Sequence, residues 1–307
     1  MEGGMMRKTA IIVLLVLMLG AASVYAGSGD LIVNHRLGIG TSNPGSEVDV
    51  AGNVNVTGSY KINGVALSLP GVLTGAACGL RIANDATSPT TKIDVTANMI
   101  GTVVPSGTIV INCSTSGQAT GNDLDTGTRQ ASKWYYIWVI YNGTTLAGLA
   151  SLSSTSPVMP GGYTYKSLVG VAVTDSQTGN FKVFSQVGNH FVYDEYQEVS
   201  VGSTAQSWTT QNYSAFIPPI STRAFFQLEM WIGGGQTGSR YGALRMNGSS
   251  STVGHYMGEV SGNNTGQSSF STVNDWINTD SSQSIQLFIS TNVNEWYLRV
   301  LGFELNL

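Results

Sequence analysis

Beyond the first three dozen residues, apolar side chains recur at every second position rather than at the i, i+3, i+4 spacing of a helix, in short runs broken by Gly, Asn, Ser and Pro. A period of two is the mark of strands, whose successive side chains face opposite ways. The longest run, KWYYIWVIYNGTTLAGLAS from Lys133 to Ser151, puts Trp134, Tyr136, Trp138 and Ile140 on one face and Tyr135, Ile137, Val139 and Tyr141 on the other. Both faces are apolar, so this strand is expected to be covered on both sides. Asn142-Gly143 is predicted to be a two-residue type I′ turn, since both central positions need positive φ. A second hairpin is expected in SLVGVAV, TDSQTGN and FKVFSQV, with Pro89, Pro157 and Pro160 confined to connections.

From about Tyr196 the runs grow more aromatic: AFFQLEMWI, YGALRM, SFSTVNDWI, SIQLFIS and EWYLRVLGFEL, separated by polar turns. The pattern predicts an all-β chain: a short β-stalk at residues 27–68, then two antiparallel β-sandwich or jelly-roll-like domains at 69–195 and 196–307. The stalk differs from the rest. Val48 and Val50, Val54 and Val56, and Tyr60 and Ile62 form three alternating pairs, divided by Gly52, Gly58 and Gly64. Each pair offers one apolar face, and a segment of ~40 residues is too small to cover it alone. Stacking on itself as a short solenoid and association between copies both meet that need, and association is the expectation because three coils cap poorly.

The first residues follow another pattern. Arg7 and Lys8 precede the apolar run TAIIVLLVLMLG, and SVYA ends in the small residue Ala26, the layout of a signal peptide covering residues 1–26. The apolar run is shorter than the ~20 residues of a spanning helix, so the mature protein is expected to be secreted or on the cell surface without stable membrane insertion. In such a compartment the two cysteines, Cys78 and Cys113, are expected to form a disulfide. Charged residues are only 10% of the chain, against ~25% in ordinary globular proteins, and the net charge is −4. That balance gives nucleic acid no basic field to bind.

The stretch LGIGTSNPGSEVDVAGNVNVTGSYKINGVAL, within Arg36 to Leu67, resembles the repeated stalk element of bacteriophage tail fibres. GLRIANDATSPTTKIDVTA, LDTG and KWYYIWVIYNGTTLAGLASLSSTSPVMPGGYTYKSLVGVAVTD, within Leu69 to Tyr193, are similar to a globular β-domain of phage tail proteins. The resemblance implies a trimeric β-rich shaft and a head that serves as spacer or receptor-facing module. Phage fibres assemble without a signal peptide, so here it implies a fibre module turned to export, a surface fibre or adhesin.

Catalytic and metal signatures are sparse. His35, His190 and His255 lack metal-ligand spacing, no G-x-S-x-G elbow occurs, and GNDLDTG, with Asn122, Asp123 and Asp125, reads as a plain turn rather than a calcium loop. The carboxylates nominated for glycoside hydrolysis, Asp194 with Glu195 and Glu198, or Glu229 with Glu259, have nothing in the sequence to bring them together. Aromatic surface remains. Among Trp208, Tyr213, Trp231, Tyr241, Tyr256, Trp276 and Trp296, the candidate glycan contacts are Tyr241 and Tyr256, read as loop residues, whereas Trp231 and Trp296 lie in apolar runs. The chain is therefore expected to be an exported structural and binding protein, not an enzyme, with no cofactor. Its expected partners are its own copies, as a homotrimer, and a cell-surface glycan. The rival readings are a tail-spike-like glycan hydrolase and a ligand-free filament subunit.

Overall fold

The computed structural model describes residues 77–101, 105–116, 120–202, 205–262, 268–291 and 293–307, together with short strands before them. The chain divides into two compact units, Met1–Ser68 and Leu69–Leu307. In the first, β1 (Val24–Tyr25) pairs antiparallel with β2 (Leu31–Ile32), β3 (Leu37–Ile39) parallel with β4 (Val48–Val50), and β5 (Lys61–Ile62) antiparallel with β6 (Val65–Ala66). Val48 and Val50 stand in register with Leu37 and Ile39, and Ile62 with Val65. Val54, Val56 and Tyr60 lie outside the described residues.

The second unit is all β, with no helix among its described residues. Its first half runs through β7 (Ala77–Cys78), β8 (Arg81–Asn84), β9 (Lys92–Thr96), β10 (Met99–Ile100), β11 (Ile109–Ser116), β12 (Asp123–Leu124), β13 (Trp134–Tyr141), β14 (Leu146–Ser151), β15 (Tyr165–Val173) and β16 (Phe184–Val187). The second half adds β17 (His190–Gly202), β18 (Ala205–Asn212), β19 (Ser221–Ile232), β20 (Gly238–Met246), β21 (His255–Gly262), β22 (Ser269–Asn278), β23 (Ser284–Ile289) and β24 (Glu295–Leu305). Twelve of these form one sheet, in the order β15-β13-β14-β12-β11-β9-β8-β16-β17-β24-β19-β22. The sheet is mixed rather than antiparallel throughout, because short β12 runs parallel to both β11 and β14.

β13 lies between β14 and β15 with six of its eight side chains buried, as expected of a strand apolar on both faces. The second expected hairpin is reduced to its turn: Asp175–Asn180 reverses the chain with a single bridge between Thr174 and Phe181 and a hydrogen bond from Lys182 N to Val173 O, after which β15 pairs with β13 and β16 with β8 and β17. The Gln186 amide, on β16, donates to Val169 O on β15. The first eight strands thus curl until their two ends meet around a common core. Asp175 fixes this turn: its carboxylate accepts from the Thr178 hydroxyl and from the backbone N–H groups of Gln177, Thr178 and Gly179. Those bonds, the Thr178 hydroxyl foremost, hold its pKa down to about 2. Their stabilisation is present above the ordinary carboxylate range and is lost only as pH falls toward 2.

In the second half, the strip β17-β24-β19-β22 faces the antiparallel sheet β18-β23-β20-β21. Phe226, Leu228 and Met230 from one side meet Leu244, Leu287 and Ile289 from the other, all fully buried. This is the aligned two-layer packing of a sandwich. One contiguous hydrophobic cluster nevertheless runs through both halves. Residues 195 and 196, where a domain division was expected, lie inside β17, which pairs with β16 on one side and β24 on the other.

Two expectations are corrected. Cys78 and Cys113 are free thiols, not a disulfide. Cys78 is exposed on the small β7–β10 pair, whereas Cys113 sits on β11 with no solvent exposure, among core residues of the large sheet. Burial pushes the Cys113 thiol up to about 12, so it is inert at neutral pH. A maleimide should therefore label Cys78 in the native protein and Cys113 only after unfolding; a native protein that takes up label at neither site and yields no thiol under denaturing, non-reducing conditions would restore the bridge. The β13–β14 turn is also displaced by one residue. Asn142 N donates to Thr145 O, which leaves Gly143 (φ +100°) and Thr144 at the tip. Asn142 acts through its side chain instead, accepting from Thr144 N and Thr145 N at 3.0 and 2.8 Å.

Candidate functional site

The outer face of the four-stranded sheet carries the densest exposed aromatic arrangement that includes the candidate residues. Alternation sets it up. On β23, Ile285, Leu287 and Ile289 turn inward, so Gln286 and Phe288 face out half-buried. On β20, Leu244 is core, which places Tyr241, Ala243 and Arg245 on the outer face. β21 breaks the alternation with a bulge: Gly242 opposes Gly258 and Ala243 opposes Tyr256, so Met257 is the extra residue. In a regular strand Tyr256 and Glu259, three apart, would face opposite ways; the extra residue brings them to one face. There the Tyr256 hydroxyl donates to Glu259 Oε2 at 3.0 Å.

The result is a row of rings across four strands. Trp208 on β18 lies 5.7 Å from Phe288, Phe288 lies 5.5 Å from Tyr241, and Tyr241 lies 5.9 Å from Tyr256, measured between centroids. The Phe288, Tyr241 and Tyr256 rings lie within 25° of parallel to their neighbours, whereas Trp208 is tilted by 46°. Ala243, opposite both Phe288 and Tyr256, is only 1% exposed, covered by the rings around it. Tyr241 and Tyr256 themselves remain 43% and 52% exposed. Both stand on strands rather than on loops, which makes them better fixed than the sequence suggested.

Polar groups frame the row. At the Trp208 end, the Arg245 guanidinium sits 4.1 Å from the indole centroid, its Nε donates to Gln286 Oε1 at 2.7 Å and its Nη1 donates to Ser251 O. At the Tyr256 end, hydrogen bonds from Ser239 and then Tyr256 hold the Glu259 carboxyl below its ordinary value. The Tyr256 hydroxyl is raised, first by desolvation and then by its bond to Glu259. The Phe288, Tyr241 and Tyr256 rings are offset-stacked, each covering part of its neighbour's face, and the parts left open, edged by donors and acceptors, suit a ligand with apolar C–H faces and a rim of hydroxyls.

The other nominated residues are not gathered into a site. Glu229 lies on the outer face of the large sheet, opposite the face bearing Glu259, and is bound to Arg299 at 2.7 Å. Arg299 is in turn held over the Tyr196 and Tyr297 rings. In GNDLDTG, Asn122 Oδ1 accepts from Gly148 N, and Asp125 Oδ2 accepts from the Ser151 hydroxyl and Val158 N. Those oxygens fasten the turn to β14 and to the connection that follows it. His190 packs edge-on against Trp276, and His255 pairs with Asp275 at 3.0 Å; His35 lies outside the described residues. Among the described residues no cluster of His, Cys, Asp or Glu is arranged to hold a metal. Trp231 is half-buried and Trp296 buried. A cleft of about 650 Å³ beside Thr108, Asn122 and Thr145 has no ionisable side chain in its lining. Sequence reasoning missed Phe288 and Arg245; the alternation in SIQLFIS marks Phe288 as facing away from Leu287, but not that its face lies open.

No protein-family model matches the chain, and no curated protein matches it, so the function is read from the site itself.

Proposed function

We propose that the chain is an exported, non-catalytic binding protein of fibre or adhesin type, in which residues 27–68 hold three copies together and the unit from Leu69 onward recognises carbohydrate. The observation that carries the binding reading is the Trp208–Phe288–Tyr241–Tyr256 row, an aromatic strip on rigid strands with hydrogen-bonding groups along its border. Sugar rings present C–H faces to such rings and hydroxyls to such borders, and preorganised anchors of this kind dominate binding energies. The distribution of carboxylates supports binding over hydrolysis, since Glu229 and Glu259 stand on opposite faces of the sandwich.

The test is a glycan array with the mature protein, with hydrolysis followed in parallel. Tyr241→Ala combined with Tyr256→Ala should weaken every genuine hit by about tenfold or more, because each truncated anchor ring costs on the order of 1–2 kcal/mol, and should leave the melting temperature nearly unchanged. Cleavage of any glycan would replace this reading by the hydrolase, and hits indifferent to both substitutions would move the site elsewhere. A protein that binds nothing on the array would leave the filament subunit.

A further inference from the structure

We propose that the ligand of this face is a linear glycan bearing a carboxylate, a uronate-containing chain, with the acid received by Arg245 and hydroxyls received by Glu259. The inference rests on the carbohydrate reading above and adds the chemical class and the direction of the chain. Arg223 is paired with Glu304 and Arg299 with Glu229, both on the opposite face, and Arg240, of the other parity on β20, donates to the carbonyls of Ser239 and Thr237. Arg245 stands on the aromatic face itself. Its three contacts are the Trp208 ring, a neutral amide and a backbone carbonyl, and among the described residues no carboxylate lies within ion-pair distance of it. They fix Nε and Nη1 and leave Nη2 uncommitted, so the guanidinium is already oriented before a ligand arrives. A planar cation held in this way is suited to a carboxylate and needs little further ordering to bind one.

The opposite end carries the opposite charge. Glu259 is opposite Tyr241 in register, four positions along β20 from Arg245, or ~13 Å at the rise of a strand. Its carboxylate repels an acid sugar and accepts from hydroxyls. The Phe288, Tyr241 and Tyr256 rings between these ends follow one another at 5.5 and 5.9 Å, on the scale of successive sugar rings in an extended chain. Trp208, with Arg245 laid on it, serves as the support of the cation rather than as an open stacking face. A branched or compact glycan does not follow such a strip.

The experiment compares linear glycans in matched pairs, each uronate chain beside its methyl-esterified, neutral form, against the mature protein and three variants. For the wild type, the acid form of at least one pair should bind about tenfold or more tightly than the neutral form, the worth of a hydrogen bond to a charged group. Arg245→Gln should abolish that preference, read as the ratio of acid to neutral binding, and Arg245→Lys should restore part of it, which a packing role for the side chain would not do. Equal binding of acid and neutral forms, or a preference that survives Arg245→Gln, overturns the inference and leaves the carbohydrate reading intact. Absence of any binding sensitive to Tyr241→Ala with Tyr256→Ala overturns both.

Discussion

Divided between Glu195 and Tyr196, the unit from Leu69 to Leu307 should yield two pieces of which neither folds alone, while the two produced together should assemble. The reason is β24. This last strand pairs with β17 along one side and β19 along the other, so the first piece would lose the partner of Phe191 and Val192. Phe191 stacks between Phe184 and Phe303 at 4.6 and 4.3 Å, and the Trp134 ring meets Phe303 edge-on at 5.6 Å. Polar bonds cross the same junction: Trp134 Nε1 donates to Ser214 O at 3.1 Å, and the buried Tyr193 hydroxyl donates to Phe216 O at 2.8 Å. The backbones approach so closely that a Cβ on Gly302 would stand 2.2 Å from Phe191 O, which only glycine avoids. Within the intact protein, Phe303→Ala should cost about 3–5 kcal/mol, the usual loss for a buried aromatic, and shift a single unfolding transition seen by all probes. A cooperative transition in the isolated piece 69–195, or a Phe303→Ala variant with only one of two transitions displaced, would show that the halves are independent.

Strand content was legible because its signal is local. The run Trp134–Tyr141 has apolar residues at both parities, and burial on both faces follows directly from that. The polar run TDSQTGN announced a turn for the same reason, and Asp175 satisfies its backbone, but the two strands it joins part beyond one bridge, β15 to pair with β13 and β16 with β8 and β17. Long-range pairing was not legible. Nothing in EWYLRVLGFEL says that its neighbours are a strand about 100 residues earlier and another about 70 residues earlier, since pairing depends on which apolar face each strand finds covered. The binding face shows the same division. Tyr241 and Tyr256 were visible as aromatics near turns, but a bulge at Met257 inverts the parity by which Glu259 would be assigned to a face. Cys113 failed for a related reason: spacing gives the count of thiols, while the side of β11 that carries this one is set by the core it joins.

The mature chain should sediment as a trimer, and Val54→Asp with Val56→Asp should dissociate it while the unit from Leu69 keeps its melting temperature. The strands of the first unit are short. β3 and β4 span three residues each, and β5 and β6 two each. Pairs this short expose most of their apolar faces to water unless something else covers them, and a two-stranded ladder is marginal in isolation. Covering the valine pairs with equivalent pairs from other copies recovers ~25 cal/mol for each Å² of apolar surface removed from water. An aspartate at each of two such positions in three copies places like charges against one another in a desolvated seam, at several kcal/mol per ion, which exceeds what short strands contribute. A chain beginning at Leu69 separates the remaining possibilities. If it is monomeric, the segment 27–68 is the assembling element. If it is still a trimer, the contact belongs to the larger unit, whose outer β24-β19-β22 face presents Phe270 three-quarters exposed (75%) directly opposite Trp231 in the ladder. A monomeric mature chain would remove self-association altogether and make the valine pairs the face of an intrachain stack.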